Sequence, residues 1–233
     1  MEAILLVGGL GARLGELTKE TPKPMLPIRG VPFLKRLLVH LKSSGFTKVI
    51  LAVGYKHEVV QSYFSDCLDD IPFIEYSIEG KPLGTGGAIA HAMRLATSKD
   101  VFVLNGDSYL ELDYFKMYHK HKIGKADITI ASIFINPADR YGVMTVGKNS
   151  EVLSFEEKGV AREGLINGGV YLLNVDKIKN TFSSVQKSSF SFEDLVLSNR
   201  LLNLKKYHFQ TDGYFLDIGV PVDYERAQRE LFK

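Results

Sequence analysis

Short apolar runs alternate with helix-like stripes through the first half of the chain. The runs have the length of buried strands and lie at residues 3–7, 49–53, 73–78 and 101–104. Between the first two runs, Leu34, Leu37 and Leu41 recur at helical spacing, and Gly45 follows as a stop signal. Weaker stripes lie at 59–64 and, after the glycines at 84–87, at 89–95. This strand–helix order predicts a parallel sheet with helices on both faces.

The second half of the chain has a different pattern. Apolar runs separated by short turns lie at 128–135, 141–146, 152–155 and 170–173, and they predict strands that extend the sheet in antiparallel fashion. We predict a helix at 192–202, short strands at 207–209 and 214–216, and a last helix capped by Asp223. No linker or repeat interrupts the chain, so we predict one domain over residues 1–233. The predicted fold class is α/β, a three-layer, Rossmann-like, mostly parallel sheet with a strand-rich second half.

Composition limits the classes of partner. A net charge of +2 over 233 residues does not favour a nucleic acid or a membrane surface, so an anionic ligand must be held by local cations and backbone N–H groups. The single cysteine, Cys67, excludes an internal disulfide and favours a reducing compartment. No run approaches the roughly 20 apolar residues of a membrane span, and the run at 3–7 is too short for a signal peptide. We therefore expect a cytoplasmic protein; its oligomeric state stays open.

A glycine-rich loop follows the first predicted strand. Its Gly-Gly-Leu-Gly segment at 8–11 leaves backbone N–H groups free to point at phosphate oxygens. Arg13 adds a planar fork of donors, and Lys23 is a second cation held between two prolines. A flexible turn with two surface cations is the alternative. A dinucleotide fingerprint would need glycine at Leu14, and no Gly-Lys-Ser/Thr ending supports a Walker loop.

Two aspartates far apart in the chain follow predicted strands. Asp107 comes after the run at 101–104, and Asp217 ends the run at 214–216. The carboxyl edge of a parallel sheet is where ligands bind in open α/β folds, and two converging carboxylates suit magnesium. For a lone aspartate before a glycine, a turn or a helix cap is the simpler interpretation. We assign that simpler role to Asp113 and Asp223.

A second glycine-rich turn, at 79–88, leads into the third predicted helix. Glycines there would let a flat base lie against the backbone, and Thr85 with nearby amides would read its edge. A tight strand-to-helix turn is the structural alternative, and both interpretations hold together because the pocket requires the turn. The histidines show no metal spacing, and we expect His119 and His121, which sit among lysines, at the surface.

The segment Gly-Gly-Leu-Gly-Ala-Arg-Leu at 8–14, followed by Pro-Lys-Pro-Met at 22–25, resembles the signature of the sugar-1-phosphate nucleotidyltransferase family. The resemblance implies the nucleotide-diphospho-sugar transferase type of fold, with a nucleotide-binding half over about 1–110 and a sugar-binding half over about 111–233. It implies Arg13 and Lys23 as catalytic cations, and Asp107 and Asp217 as ligands of Mg²⁺. The implied nucleotide-binding residues are Leu6, Gly8, Gly9, Gly11, Ala12, Arg13, Glu79, Pro82, Gly84, Thr85 and Asp107. Those implied for the sugar phosphate are Lys23, Tyr141, Gly142, Glu157, Lys158, Asn167 and Gly168.

The chain departs from the family pattern at Gly159, where a proline is commoner, and residues 156–158 would otherwise be a solvated charge run. Segments at 77–79, 82–87, 191–194 and 214–221 resemble a bacterial branch of the family that transfers guanylyl groups to D-glycero-α-D-manno-heptose 1-phosphate. This implies GTP and a heptose phosphate as substrates, for surface polysaccharide synthesis. The residues themselves do not decide guanine over thymine or uracil, nor heptose over mannose or glucose. A nucleotide-sugar-binding regulator and a dinucleotide-dependent enzyme are the alternatives from other classes.

Overall fold

A computed structural model of the chain describes residues 1–9, 11–65, 71–138, 140–155, 163–185, 187, 189–198 and 202–231. The strands are β1 (Glu2–Leu6), β2 (Pro27–Ile28), β3 (Val31–Pro32), β4 (Lys48–Val53), β5 (Phe73–Ile78), β6 (Asp100–Asn105), β7 (Ser108–Leu110), β8 (Ile128–Ile135), β9 (Met144–Val146), β10 (Val152–Phe155), β11 (Gly164–Asn174), β12 (Lys206–Gln210) and β13 (Phe215–Asp217). The α-helices are α1 (Phe33–Ser43), α2 (His57–Phe64), α3 (Gly84–Ala92), α4 (Tyr114–Gly124), α5 (Val175–Ser183) and α6 (Pro221–Glu230). Short 3₁₀ segments cover Ala12–Thr18 and Lys23–Met25, and a π-helical turn covers Glu193–Leu197.

Seven strands form the central sheet, in the order β12-β8-β11-β6-β1-β4-β5. The neighbours β5, β4, β1 and β6 pair in parallel, which confirms the prediction from the strand–helix alternation. On the other side, β11 pairs antiparallel with β6 and β8, and β12 runs parallel to β8 at the edge. The second half therefore does extend the sheet, but only partly with antiparallel strands.

Successive residues of the central strands enter two separate cores. Leu5 of β1 packs in one core with Leu37 of α1 and Met117 of α4, whereas Ile4 packs in the other with Ile89 of α3 and Ile178 of α5. All six of these side chains are buried. Because side chains alternate between the faces of a sheet, a strand buried on both sides needs a continuous apolar run, as β1 has. The three-layer prediction is confirmed.

The strands β9 and β10 do not join the central sheet. They pair with each other in a separate two-stranded sheet, so the prediction that both extend the main sheet is wrong. The edge of β11 that faces away from β8 pairs with β6 only from Val170 onwards, and ahead of that point it makes a single bridge among the described residues, between Ile166 and Val143. The first residues of the predicted strand, Tyr141 and Gly142, lie ahead of β9 in a turn.

Two helix predictions need correction. The glycines at 84–87 form the first turn of α3 and do not precede it, and Leu95 lies beyond the helix. Of the helix predicted at 192–202, the described residues contain only the short π-helical turn at Glu193–Leu197. By contrast, α1 buries Leu34, Leu37 and Leu41 as its spacing predicts.

The prediction that His121 lies at the surface is wrong. Its side chain is 2% exposed, and its Nδ1 lies 2.8 Å from Thr129 Oγ1. Its Nε2 lies 3.5 Å from the buried carboxylate of Asp100. The apolar periodicity of the sequence did not indicate that His121 is buried, because a histidine with polar partners can occupy a core position of α4. His119 is exposed, as predicted.

The two aspartates assigned as helix caps behave differently. Asp113 is the N-cap of α4 and accepts a hydrogen bond from the N–H of Lys116, which confirms that prediction. Asp223 lies inside α6, where the N-cap is Val220, so the second prediction is wrong. Its carboxylate is buried and accepts a hydrogen bond from Arg140 Nη1 at 2.6 Å. None of the helices in the described ranges is both long and apolar enough to cross a membrane.

We expect Asp223→Ser to lower the free energy of unfolding by about 1.5–3 kcal/mol, because serine can cap a helix but cannot replace the charged hydrogen bond to Arg140. Denaturant unfolding followed by circular dichroism measures the change. The matched control is Asp113→Ser, which should stay within about 0.5 kcal/mol of the wild type because aspartate and serine cap helices about equally well. Equal losses in the two variants would contradict this assignment.

Candidate active site

Pairing of two short strands brings Asp107 and Asp217 together. Strands β7 and β13 pair antiparallel, with Ser108 opposite Asp217. The N–H of Ile218 then donates to the backbone carbonyl of Asp107 at 2.9 Å. The two carboxylates therefore meet near the carboxyl end of β6, as the sequence predicted. The two-stranded ladder that aligns them was not foreseen.

Lys23 lies between the two carboxylates. Its Nζ is 2.5 Å from Asp107 Oδ2 and 3.9 Å from Asp217 Oδ1, and its side chain is only 8% exposed. Burial and the negative charge of Asp107 raise the pKa of Asp217, whereas Lys23, the N–H of Gly219 and Arg13 oppose that rise. The carboxylates of Asp107 and Asp217 therefore repel each other, and a cation beside them relieves that repulsion.

Gly219 is a site residue that the sequence analysis left without a role. Its N–H donates to Asp217 Oδ1 at 2.7 Å. A Cβ at this position would lie 2.8 Å from the same oxygen and 3.2 Å from Lys23 Nζ. Only glycine therefore leaves room for both charged groups. The sequence Asp-Ile-Gly at 217–219 could have indicated this role, because a glycine two residues after a strand-ending aspartate permits such a turn.

The first glycine loop packs against Lys23 at Gly11. Gly11 has φ +65°, and a Cβ there would meet Thr18 Cγ2 at 2.9 Å and Lys23 Cβ at 3.0 Å. The hydroxyl of Thr18 donates to the carbonyls of Gly11 and Gly15, at 3.2 and 3.1 Å. Glycine is thus required by both the backbone conformation and the close approach. Arg13, two residues later, is exposed.

A cavity of about 600 Å³ lies beside this loop. Of the predicted nucleotide-binding residues, those that line it are Leu6, Gly8, Gly9, Glu79, Pro82, Gly84, Thr85 and Asp107. Gly11 and Arg13 are not part of its wall, and the side chain of Ala12 lies outside the described residues. The wall also includes Tyr55 and Lys81, which the sequence analysis did not single out.

A second cavity, of about 840 Å³, lies on the strand-rich side. Of the residues predicted to bind the sugar phosphate, those that line it are Tyr141, Gly142, Asn167 and Gly168. Asp217 also lines it, whereas Lys23 is part of the first wall. Glu157 and Lys158 lie outside the described residues.

The two cavities share a wall formed by Asn105, Asp107 and Glu193. Two ligands, one in each cavity, would therefore meet beside the carboxylate of Asp107. Lys23 holds a positive charge at that junction. Such an arrangement can bring two anionic groups together.

The second glycine turn is shaped by Phe190. A Cβ on Gly84 would lie 2.5 Å from the carbonyl oxygen of Phe190, and one on Gly86 would overlap its ring. The hydroxyl of Thr85 donates to Glu193 Oε2 and accepts from the N–H of Phe192, both at 2.8 Å. These glycines therefore have a packing role that the sequence could not indicate, because their partner lies in the other half of the chain.

Glu79 lies at the opposite end of this turn and lines the first cavity. Its Oε2 accepts a hydrogen bond from the N–H of Leu83 at 3.0 Å. Burial raises the pKa of Glu79, and this hydrogen bond works in the other direction. The carboxylate of Glu79 is thus partly buried in the cavity wall, and its oxygens can accept further hydrogen bonds from a ligand.

The carboxylates of Asp107 and Asp217 also fit a magnesium ion. Within the described parts of the chain, no group of three or more histidine, cysteine or acidic side chains forms a complete metal site. Magnesium does not require one, since it usually keeps several waters and combines one or two carboxylates with phosphate oxygens of the substrate. Two carboxylates that repel each other beside two open cavities match that pattern.

Comparison with known proteins agrees with this geometry. The family model described as nucleotidyl transferase matches residues 2–233. The chain is 46% identical over 232 residues to a D-glycero-alpha-D-manno-heptose 1-phosphate guanylyltransferase of Aneurinibacillus thermoaerophilus, covering 99% of this chain and 98% of that protein. It is 46% identical over 224 residues to the protein of the same name from Campylobacter jejuni, covering 96% and 97%. The crystal structure of HddC from Yersinia pseudotuberculosis complexed with GMP-PN superposes with a TM-score of 0.86 at 35% identity, covering 100% of this chain and 99% of that one.

We expect Gly11→Ala to cost about 1–2 kcal/mol in the glycine loop, because alanine is strained at positive φ and its Cβ would crowd Lys23. Faster trypsin cleavage at Arg13 and Lys19, together with denaturant unfolding, would reveal the loosened loop. Gly124→Ala is the matched control, since its Cβ would meet only ring carbons of Tyr207 at 3.8 and 3.9 Å. Unchanged cleavage in Gly11→Ala would contradict the packing role assigned to this glycine.

Proposed function

This chain belongs to the nucleotidyl transferase family, and we propose that it transfers a guanylyl group from GTP to D-glycero-α-D-manno-heptose 1-phosphate. The products are a GDP-sugar and pyrophosphate. One observation carries the proposal: two cavities meet at Asp107, with Lys23 beside it. The names of the two relatives at 46% identity support the choice of guanylyl group and heptose.

The reaction we propose is an in-line displacement at the α-phosphorus of the nucleotide. A phosphate oxygen of the sugar 1-phosphate forms the new P–O bond, and the bond to pyrophosphate breaks. A phosphate monoester has a second pKa of about 6, so this nucleophile is already mostly dianionic at neutral pH. It therefore needs no general base, in keeping with the absence of histidine from the described walls of both cavities.

Repulsion between the two anionic substrates is the main barrier that the protein must lower. Lys23 is buried and held in place by Asp107, so it offers a fixed positive charge at the junction. Gly8 and Gly9 of the glycine loop line the nucleotide cavity, and their backbone N–H groups would face phosphate oxygens. Arg13 would neutralise the departing pyrophosphate.

Asp107 and Asp217 would hold Mg²⁺, whose positive charge would offset the negative charge of the bound phosphates. The raised pKa of Asp217 supports this assignment, because part of the rise comes from the charge of Asp107. A divalent cation would relieve that repulsion. Gly219 holds one Asp217 oxygen through its N–H and so fixes the direction of the carboxylate.

The second cavity would hold the sugar phosphate. Tyr141 and Gly142 border it on one side, and Asn167 and Gly168 on another. Tyr141 is held by edge contact with Phe215, at 5.7 Å between ring centroids. Polar groups on rigid supports of this kind suit the hydroxyls of a sugar. Glu157 and Lys158 keep their proposed roles as partners of a sugar hydroxyl and of the phosphate.

Glu79 supports guanine as the base. Guanine presents two neighbouring donors, its N1–H and its exocyclic amine, to an acceptor such as a carboxylate. Thymine and uracil present one N–H on the matching edge. A partly buried carboxylate that reads donors discriminates strongly against a base that lacks one of them.

The direct test is to incubate the protein with each nucleoside triphosphate, magnesium and a panel of sugar 1-phosphates, and to measure pyrophosphate release. We expect the highest kcat/KM with GTP and the heptose phosphate, and loss of activity when a chelator removes magnesium. Faster turnover with dTTP or UTP, or with mannose 1-phosphate, would replace the proposed specificity. No pyrophosphate with any pair, with nucleotide binding retained, would favour a nucleotide-sugar-binding regulator.

We expect Asp107→Asn to lower the rate of pyrophosphate release roughly 10²-fold or more, on the order of 3 kcal/mol, because a preorganised charged group at the junction is lost. The protein should stay folded, as judged by circular dichroism. Asp113→Asn is the control, since asparagine caps a helix as well as aspartate does. A rate near that of the wild type in Asp107→Asn would eliminate the proposed junction.

A further inference from the structure

Glu193 belongs to both cavities, although its role was not predicted from the sequence. It begins the π-helical turn Glu193–Leu197, and its side chain is part of the wall of each cavity. Asn105 and Asp107 are the other residues that line both. Unlike Asp107, Glu193 has no cation among its described hydrogen-bond partners, which are all neutral hydroxyls.

The carboxylate of Glu193 receives hydrogen bonds from both sides. Its Oε2 accepts from the hydroxyl of Thr85, in the first turn of α3, at 2.8 Å. Its Oε1 accepts from the hydroxyl of Tyr171, in β11, at 3.4 Å. The Thr85 side lies in the wall of the nucleotide cavity, and the Tyr171 side lies in the wall of the sugar cavity.

Beyond Tyr171, the path continues to the irregular part of β11. The amide nitrogen of Asn167 donates to the Tyr171 hydroxyl at 2.7 Å, and the amide oxygen accepts from the N–H of Gly169 at 3.0 Å. The pairing of β11 with β8 shifts register between Asn167 and Tyr171. The amide that faces the sugar cavity is thus held by a path of hydrogen bonds that ends at Glu193.

The direction of every bond in this path is fixed. The hydroxyls of Thr85 and Tyr171 both donate to carboxylate oxygens of Glu193, which accept. The hydroxyl hydrogen of Tyr171 is therefore used in the bond to Glu193, and the hydroxyl oxygen accepts the hydrogen bond from the Asn167 amide. Burial and the negative charge of Glu193 raise the pKa of Tyr171, so this hydroxyl keeps its proton.

We propose that Glu193 is a positioning residue that couples the nucleotide and sugar subsites through the path Thr85–Glu193–Tyr171–Asn167. This inference rests on the proposed function, since it assigns one substrate to each cavity. A nucleotide that contacts the first turn of α3 changes the hydrogen bond between Thr85 and Glu193. Because charged and neutral bonds in one path strengthen one another, that change alters the bond to Tyr171 and the hold on the Asn167 amide. The 3.4 Å bond is the loosest step and therefore the step that responds most.

Coupling between two sites is reciprocal, so it can be measured as binding without turnover. Calorimetric titration of the wild type with a non-hydrolysable GTP analogue, with and without saturating heptose 1-phosphate, should give dissociation constants that differ roughly 5-fold or more. Glu193→Gln keeps the size of the side chain but replaces one accepting oxygen with an amide NH₂ group, which donates. It should bring the ratio of the dissociation constants measured with and without heptose 1-phosphate close to 1, whatever its affinity for each ligand alone.

Tyr171→Phe is the second variant, because it removes only the hydroxyl and leaves the bond between Thr85 and Glu193 in place. It should lose the coupling in the same way, and in turnover it should raise the KM for the sugar phosphate at saturating GTP with little change in kcat. Glu225→Gln, an exposed carboxylate of α6, is the matched control and should keep the full coupling.

Loss of coupling in both variants, with both ligands still bound, supports the proposal. A wild-type ratio near 1, or full coupling in a folded Glu193→Gln or Tyr171→Phe, overturns it and leaves the proposed reaction standing. Failure of the wild type to bind either ligand overturns both the coupling and the proposed function.

Discussion

The ion pair between Lys23 and Asp107 determines how the rest of the site is arranged. A buried ammonium requires a nearby anion, and Asp107 supplies it at 2.5 Å. The glycine loop must then pass close to the lysine stem, which only Gly11 permits. On the other side, Asp217 must approach the same ammonium, which Gly219 permits. One cation thus links three segments of the chain, and each carries a glycine or an aspartate suited to that contact.

Much of this arrangement is readable from the sequence because local rules govern it. The leucines of α1, the apolar run of β1 and the glycine loop each depend on neighbours within a few residues. Asp107 could be assigned to the carboxyl edge of the parallel sheet, where ligands bind in open α/β folds, whereas Asp217 reaches that edge through the pairing of β13 with β7. The resemblance at 8–14 and 22–25 added the expectation that the phosphates belong to a nucleotide and a sugar 1-phosphate. It did not indicate how Lys23 would be held.

The features that the sequence did not reveal all depend on distant partners. Asp223 looks like a helix cap until Arg140 is placed beside it, and His121 looks exposed until Thr129 and Asp100 surround it. The glycines in the first turn of α3 look like room for a ligand, yet Phe190 packs against Gly84 and Gly86. Strands β9 and β10 were predicted to extend the main sheet, yet they pair with each other in a separate sheet. Periodicity and spacing describe one segment at a time and cannot supply such partners.

The packing of Phe190 against Gly84 and Gly86 has a consequence for the order in which the molecule is built. During synthesis the N-terminal strands leave the ribosome first, and a parallel sheet of β5, β4, β1 and β6 can begin to assemble. At that stage β6 still has a bare edge, because its partner β11 is made later. The turn at 84–87 also lacks its support until residue 190 has emerged. The wall of the nucleotide cavity is therefore among the last parts of the protein to become rigid, although most of its residues are among the first to be translated.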